Sequence, residues 1–485
     1  MFDYVKKQIS DFDGNSFLHA LKLLVIMALI MMMYGFIFSG FQVVDEFEHL
    51  HASWLVGQQK VPYRDFFEHH HPLLWYISSP IVEAFYDNAI IFYIMRGISF
   101  LASLLTLFYV YKIALFFTNK VGAWLCVSIS LCNLIMAYNF YQFRPDNFMN
   151  LFFFMAVYYW FCYLENKKIL TLIISFLCFG ISFLFLQKIA LLLIFVEIIL
   201  LWLIVDHKMS LKKTIIASIP TILLVCCFIG YFVIIGAGID FFALNFRFNQ
   251  ALVYYFERGA FWHKNLFLSV YVIAIIVGVY LFKKRNIYFK IIMALCIAEF
   301  LMRAFYFSPH PNYYTTLVYL SALVFSAIFT KENYDKNKIL CILFIFVLFA
   351  NLGLVFNKII ISSEKYNSLE NYKLSKYVHE NSDKNDTIMN GYNKNFNIYR
   401  NDASYYWFGL DMLIPVIEQE FGVKNLVNVN SIILAQRPKF IYTQNHIDLR
   451  ALRLYGETKY SQVFDPVLID NFYQKTPFEY LAVLK

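Results

Sequence analysis

The chain has few charged residues, and its polar segments contain no cysteine. Of its 485 residues, 15% are charged and 60% are hydrophobic. This composition is too apolar for a soluble domain and indicates a polytopic membrane protein. All eight cysteines lie in apolar runs, so the sequence predicts neither a disulfide framework nor a zinc motif, and we interpret these residues as small core residues.

Other features that the sequence lacks exclude further classes of function. The formal net charge is +8, but no RNA- or DNA-binding motif is visible, and the basic residues lie in short loops between apolar runs, where they act as orientation signals. We therefore expect a membrane setting and no nucleic-acid partner. No small-residue cleavage site follows the first apolar run, which favours a retained helix over a removed signal peptide.

What the sequence does contain is a series of apolar runs, and a crossing helix needs about 20 apolar residues. We predict about 11 transmembrane helices, at roughly 20–41, 90–117, 121–139, 147–164, 168–186, 189–205, 213–237, 265–282, 288–306, 312–330 and 339–357. A further run at roughly 73–86 is too short to cross, and we expect it to lie in the interface or against the bundle.

The positions of the basic loops predict which side of the membrane each loop lies on. If the N-terminus is inside and 73–86 does not cross, the lysine-rich loops become cytoplasmic, as the positive-inside rule requires. We thus predict a multi-pass protein of the bacterial inner membrane with a periplasmic C-terminus. The outer face then carries the hairpin at Lys188 and the polar segments 42–72, 140–147, 238–264 and 306–311.

The tail after the last run mixes two patterns. "SLENYKLSKYVHEN" is typical of a helix, whereas "DTIMNG", "KFIYTQ" and "EYLAVLK" are typical of strands. The predicted fold class is an all-α polytopic membrane protein with a small C-terminal periplasmic α/β domain. We expect a transmembrane domain over 1–357, with its first outer loop at 42–72, and the soluble domain over 358–485.

The first outer loop begins with the acidic stretch "VVDEFEHLHASW". On a helix, Asp45, Glu48, His49 and Ala52 share one face. One hypothesis is that Asp45 has only a structural role, as the N-cap of the helix. The functional hypothesis is that its carboxylate accepts a proton from a substrate hydroxyl. A divalent metal at Asp45, Glu48 and His49 is possible, although the spacing matches no zinc motif.

The same loop ends in "FFEHHHPLLWY". The histidines His69, His70 and His71 precede Pro72, so the chain is extended or turning there. They are candidates to bind phosphate as imidazolium or to bind a metal, and the remaining alternative is that they face water.

Charged residues also occur in and near the later outer loops. Arg144 and Asp146 in "QFRPDN" form a surface ion pair or part of a site, and Lys188 either snorkels to headgroups or binds phosphate. Glu299 and Arg303 are spaced to pair along a helix. Acids and cations on one membrane face suggest a reaction on a lipid-linked phosphate, with a carboxylate as base and Lys or Arg as phosphate clamps.

The first loop resembles that of the GT-C superfamily of membrane glycosyltransferases. It is most similar to the branch of protein O-mannosyltransferases and bacterial aminoarabinose transferases of lipid A. The resemblance rests on the Asp45-Glu46 pair, followed by "VPYRDFF" and "HHPLLWY". "FRPDN", "LQKIALLL", "PHPNYYTTLVYLSAL" and, in the tail, "RPKFIYTQ" are similar to later parts of that family.

The resemblance implies an inverting transfer of a sugar from a polyprenyl phosphate, with Asp45 as the base and Glu46 as its neighbour. It also implies that Lys188 and Arg247 bind the donor phosphate. His71 stands where the family commonly has lysine, so phosphate binding there depends on protonation. Further candidate site residues are Glu48, His49, His70, Arg144, Asp146, Arg258 and His310.

We therefore expect a hexosyl- or pentosyltransferase that acts on a lipid or glycan acceptor such as lipid A or lipopolysaccharide. No cofactor is required, and a divalent metal is possible. The alternatives are a lipid or small-molecule transporter or flippase with a polar gate, for which we find no internal repeat, and a non-catalytic assembly subunit in which Asp45 is dispensable.

Overall fold

The structure is a computed structural model, and it describes residues 14–40, 43–252, 261–282, 285–305, 311–328, 338–365, 367–390, 395–407, 416–417, 429–443 and 465–485. Up to residue 365, the α-helices of four or more residues are Gly14–Phe38, Val43–Gly57, Leu73–Ala84, Ile91–Ala114, Lys120–Leu131, Met136–Asn139, Pro145–Asn166, Ile169–Phe185, Ala190–Val205, Leu211–Ile234, Gly238–Phe242, Phe261–Phe282, Ile287–Phe305, Thr315–Ser326 and Lys338–Lys365.

A helix lies on each of the eleven predicted apolar runs. Among the described residues, six helical segments are long and apolar enough to cross a membrane: Asn15–Phe38, Ile91–Ala114, Pro145–Asn166, Gln187–Val205, Leu211–Ile234 and Cys341–Glu364. The apolar helices Lys120–Leu131, Ile169–Phe185 and Thr315–Ser326 are shorter than a full span, and Ile287–Phe305 carries Lys290, Glu299 and Arg303. The polytopic all-α fold class is confirmed, and eleven crossings stay a prediction.

The chain divides into two compact units. The membrane unit comprises Met1–Ser39, Arg96–Phe228 and Phe256–Tyr366. The loop unit comprises Gly40–Met95, Ile229–Tyr255 and Asn367–Lys485. The loop unit thus groups the first outer loop with the C-terminal sheet, and the predicted domain boundary at 357/358 stays a prediction.

In the membrane unit, the helices Pro145–Asn166 and Ile169–Phe185 form a hairpin. Two serines link them: Ser175 Oγ donates to Ala156 O at 2.9 Å, and Ser182 Oγ donates to Met149 O at 2.8 Å. Small hydroxyl side chains let helices approach closely and supply hydrogen bonds where water is absent. This hairpin positions the start of its first helix, which carries Asp146.

A buried arginine ties two helices of the membrane unit together. Arg96 is fully buried and donates to Phe36 O at 2.7 Å and to Ser39 O at 2.9 Å. Its guanidinium also lies 5.3 Å from the ring centre of Tyr141. A cation at the carboxyl end of a helix satisfies free carbonyls and complements the helix dipole, so Arg96 has a structural role.

In the loop unit, the first-loop helix (Val43–Gly57) packs against the short helix (Leu73–Ala84). Their buried serines Ser53 and Ser78 are joined by a 2.7 Å hydrogen bond between hydroxyls. The short helix has 12 residues. It confirms the short helix predicted at 73–86, and 12 residues are too few to span a bilayer, which takes about 20.

The C-terminal part of the loop unit is a five-stranded sheet, as the tail pattern predicts. Its strands are β1 (Thr387–Met389), β2 (Asn401–Asp402), β3 (Phe440–Tyr442), β4 (Tyr473–Lys475) and β5 (Leu481–Leu484). The order is β2-β1-β3-β5-β4; β1 is parallel to β2 and β3, whereas β5 is antiparallel to β3 and β4. The helices Ser368–Glu380, Val429–Gln436 and Pro466–Phe472 accompany it.

Alternation along the strands buries both faces of this sheet. Ile388, Phe440 and Leu481 pack with Leu374 and Val378 of the helix Ser368–Glu380. The residues that follow each of these three strand positions, Met389, Ile441 and Ala482, pack on the other face with Ile433 and Ile469. Helices therefore cover both faces, which confirms a small α/β domain.

Candidate functional site

The aspartate predicted to be the base lies in the first turn of the first-loop helix. This helix begins at Val43, two residues before Asp45, so the N-cap alternative for Asp45 is wrong. Asp45 is half-buried, and Glu46 is fully buried. Asn395 Nδ2 donates to Val44 O at 3.2 Å and holds the chain beside Asp45. The dipole at a helix start favours a negative carboxylate there.

One turn further, four side chains converge into what we call the acid–histidine cluster: Glu48, His49, Glu68 and His70. His70 Nδ1 lies 3.0 Å from Glu48 Oε1 and 3.4 Å from Glu68 Oε2. The rings of His49 and His70 meet edge to face, with 4.9 Å between their centres. The two halves of the first loop thus meet at His70, as neither motif alone predicts.

Burial governs the electrostatics of this cluster. Desolvation, followed by repulsion from Glu68, raises the pKa of Glu48 to about 8. Burial likewise raises the pKa of Glu68 to about 8, although the backbone N–H of His69 donates to its carboxylate. Without a compensating cation, both acids are therefore largely protonated at neutral pH.

The three consecutive histidines have different surroundings. His71 is fully buried and faces Phe241 and Phe246 edge-on, so the alternative that it faces water is wrong. His69 is fixed by Asn249, with 3.0 Å between Nδ1 and Oδ1. Burial, then repulsion from His70, lowers the pKa of His69 well below its ordinary value, which favours the neutral form of that ring.

The first loop is held by a stretch of the C-terminal domain, residues 395–407, which we call the clamp segment. His51 is fully buried, and its Nε2 lies 2.6 Å from Asp402 Oδ2. Trp407 Nε1 donates to Phe67 O at 3.1 Å. The sequence motifs did not reveal these residues, because more than 300 positions separate the partners along the chain.

A second clamp contact is an ion pair. Arg400 is almost fully buried, and its Nη1 lies 2.7 Å from Asp87 Oδ1. The same guanidinium donates to His379 O at 2.9 Å and to Ser382 O at 2.8 Å. A buried guanidinium is tolerated when all of its N–H groups donate hydrogen bonds, whereas removal of its charged partner strongly destabilises the fold. Arg400 thus ties the sheet domain to the chain just after the short helix.

The cationic candidates of the membrane unit form a separate group, the cation cluster. Lys188 Nζ lies 2.7 Å from Asp146 Oδ1, and Arg144 Nε lies 3.5 Å from Asp146 Oδ2. Lys188 Nζ is also 3.5 Å from the ring centre of Tyr313. Arg144 and Asp146 are buried, so the predicted ion pair exists but is not at the surface. Lys188 does not simply snorkel.

Arg303 adds a further cation to this group. Its Nη2 lies 2.6 Å from Glu299 Oε1, which confirms the predicted pair along the helix. Both Arg303 and Arg144 are close enough to Lys188 to repel its ammonium group. The cation cluster therefore has three cations, Arg144, Lys188 and Arg303, and two carboxylates. The formal surplus of one positive charge suits a phosphate ligand.

The remaining candidates contribute less. Arg247 is exposed and lies in the π-helical segment Ala243–Phe248, in the loop unit. Short π-helical segments occur frequently at functional sites. Arg258 and His310 lie outside the described residues.

Comparison with known proteins finds a match to a family model. A family model described as dolichyl-phosphate-mannose-protein mannosyltransferase matches residues 70–233, about a third of the chain. The matched segment includes His71, Asp146 and Lys188, whereas Asp45 precedes it. No curated protein matches the chain. The match indicates a membrane glycosyltransferase that uses a lipid-linked sugar donor, and it supports membership of the chain in the GT-C superfamily.

Proposed function

We propose that the protein transfers a sugar from a polyprenyl-phosphate donor to an acceptor of the bacterial cell envelope, on the periplasmic face of the inner membrane. The acceptor class is lipid A, lipopolysaccharide or another surface glycan. The observation that carries the proposal is the family match over residues 70–233, which covers the end of the first loop and the Lys188 hairpin.

The reaction has a simple balance of bonds and protons. An acceptor hydroxyl oxygen attacks the anomeric carbon while the bond from that carbon to the phosphate oxygen breaks, which inverts the anomeric centre. The phosphate oxygen keeps the electron pair of the broken bond, and the hydroxyl proton passes to a carboxylate base. Because a lipid phosphate is already a good leaving group, this step needs no cofactor.

Asp45 is the residue that we assign as the base. Its carboxylate is half-buried at the start of a helix whose following turns are buried, so it is held on a rigid element and still reaches solvent. Glu46 is fully buried and cannot meet an acceptor without a local movement, which suits a role in positioning its neighbour. A rigidly held general base contributes about 10²–10⁴-fold to the rate.

We assign donor-phosphate binding to Lys188 with Arg144, and we keep Arg247 as a separate candidate. Lys188 and Arg144 share one carboxylate, Asp146, so a phosphate would meet cations that are already positioned. Positioned donors stabilise charge that develops on a leaving group without reorganising during the reaction.

The proposal is tested by mass spectrometry of envelope lipids and glycans from cells with and without the gene. It predicts that one sugar is missing from one envelope component in the deletion strain and that its polyprenyl-phosphate donor accumulates. Unchanged glycans in the presence of an altered distribution of a lipid between leaflets would instead support a transporter. A cytoplasm-specific reporter fused after Lys485 should be silent, and a strong signal would contradict the periplasmic siting.

A further inference from the structure

The acid–histidine cluster contains a set of atoms that the transfer reaction does not use. Glu48, His49 and His70 each offer a ligand atom, and these atoms all lie within 4.8 Å of one another. Glu68 joins them, because its Oε2 lies 3.4 Å from His70 Nδ1. Carboxylate oxygen and imidazole nitrogen are both ligands of divalent transition metals.

We propose that Glu48, Glu68 and His70 bind a divalent transition-metal ion, for which Zn²⁺ is the best match. In a tetrahedral zinc site with bonds of about 2.0–2.1 Å, neighbouring ligand atoms are about 3.3–3.4 Å apart. The distances from His70 Nδ1 to the two carboxylates, 3.0 Å and 3.4 Å, are close to that spacing. The site stands on this geometry and does not depend on the proposed transferase activity.

The two carboxylates also lack a cation. Both glutamate side chains are almost fully buried, and Glu68 Oε1 has no hydrogen bond within the part of the chain that the structure describes. No lysine or arginine among those residues forms an ion pair with Glu48 or Glu68. Two buried acids side by side are costly unless a cation compensates them, and a divalent ion would compensate both.

His49 has a different role from His70. The indole N–H of Trp75 donates to His49 Nδ1 at 3.2 Å, so the proton of the neutral imidazole is on Nε2. His49 is therefore not a ligand in this arrangement. An imidazole N–H next to metal-bound carboxylates is instead typical of the hydrogen bonds that orient such ligands.

The donor set also selects the kind of ion. Mg²⁺ and Ca²⁺ prefer sites made only of oxygen, whereas an imidazole nitrogen with carboxylates suits zinc and its neighbours in the first transition row. His70 is the ligand with an exposed edge, at 16% of its side chain, so the ion would enter on that side. Once bound, it would fasten the "EHHHP" segment of the loop to the first-loop helix.

The test measures bound metal in the full-length, tag-free protein in detergent. The protein is stripped with a chelator, loaded with Zn²⁺ or Mg²⁺, desalted and analysed by elemental mass spectrometry. We expect about one tightly bound zinc per chain and no retained magnesium. Glu48→Gln and His70→Gln should weaken zinc binding by at least about 100-fold, because loss of an outer-shell partner alone typically costs about 10–100-fold.

Matched controls are His19→Gln and Glu370→Gln, which change exposed residues of the same types and should bind zinc like the wild type. Zinc should raise the melting temperature of the wild type and both controls but not of Glu48→Gln. Melting in chelator shows that each variant is folded. Equal zinc in the wild type and in both cluster variants would mean an adventitious ion only and would overturn the proposal, as would retention of magnesium in place of zinc.

Discussion

The two charged clusters of this protein are built from different side chains. The acid–histidine cluster has no lysine or arginine within the described residues, and without a bound cation its acids are largely protonated at neutral pH because burial raises their pKa to about 8. The cation cluster contains Lys188, Arg144 and Arg303 and only two carboxylates. One cluster can exchange protons or accept a metal, whereas the other carries a formal surplus of positive charge.

This difference suggests a division of labour between the two units. Arginines bind a phosphate over a wide pH range because the guanidinium stays charged. Acids and histidines change their protonation or their ligands instead. We therefore expect variants in the membrane unit to change donor affinity, and variants around the start of the first-loop helix to change turnover.

The largest expected effect is that of Asp45→Asn. Asparagine keeps the shape of the side chain but cannot accept the proton, so turnover should fall by about 10²–10⁴-fold. The measurement is sugar transfer by the purified variant at saturating donor. Asp383→Asn, at an exposed position of the C-terminal domain, is the control and should be fully active. Glu46→Gln should lose less than Asp45→Asn if Glu46 only positions its neighbour.

Lys188→Ala should weaken donor binding with turnover at saturating donor little changed. Losing one charged hydrogen bond costs about 1.5–3 kcal/mol, or about 10- to 100-fold in affinity. Donor affinity is measured directly by titration of the purified protein. Lys168→Ala removes an exposed lysine and serves as the control, while Lys188→Arg keeps the charge and should recover part of the affinity. Unchanged affinity in Lys188→Ala would reject the phosphate assignment.

The clamp segment should have a smaller effect, mainly on stability. Asp402→Ala leaves the buried His51 Nε2 without its partner, which costs about 1–3 kcal/mol. Thermal unfolding should show a lower melting temperature. Asp402→Asn keeps an acceptor oxygen for His51 and should be milder, and Asp470→Ala, at an exposed position, should have no effect. A melting temperature of Asp402→Ala equal to that of the wild type would show that the contact does not hold the loop.

Local patterns predicted the elements of this fold better than its long-range contacts. Alternating apolar residues predicted the strands β1, β3 and β5. An apolar run too short to span the membrane predicted the helix Leu73–Ala84. Two-residue β2 has no such pattern, because an alternation needs more positions to be visible. The N-cap alternative for Asp45 is wrong because the apolar Val43 and Val44 already belong to the helix.

For the candidate site, too, the sequence predicted individual residues better than their contacts. Residue types pointed to Glu48, His70 and Lys188, since acids, histidines and a lone lysine stand out in an apolar chain. Their partners could not be predicted from local patterns. Asp402, for example, lies 351 positions after His51 in the sequence, and only the folded chain brings the two side chains together. Arg96 was visible as a charge within an apolar run, a pattern that marks a buried and paired residue.

The central claim is that the proton is handled at Asp45 and the phosphate at Lys188. The most direct test measures single-turnover rate and donor affinity together, for Asp45→Asn and Lys188→Ala prepared in the same detergent. The account predicts that Asp45→Asn binds donor normally and transfers at least about 100-fold more slowly, while Lys188→Ala binds donor more weakly and transfers normally once saturated. An Asp45→Asn protein with normal transfer, or two variants that lose both quantities in equal measure, would contradict it.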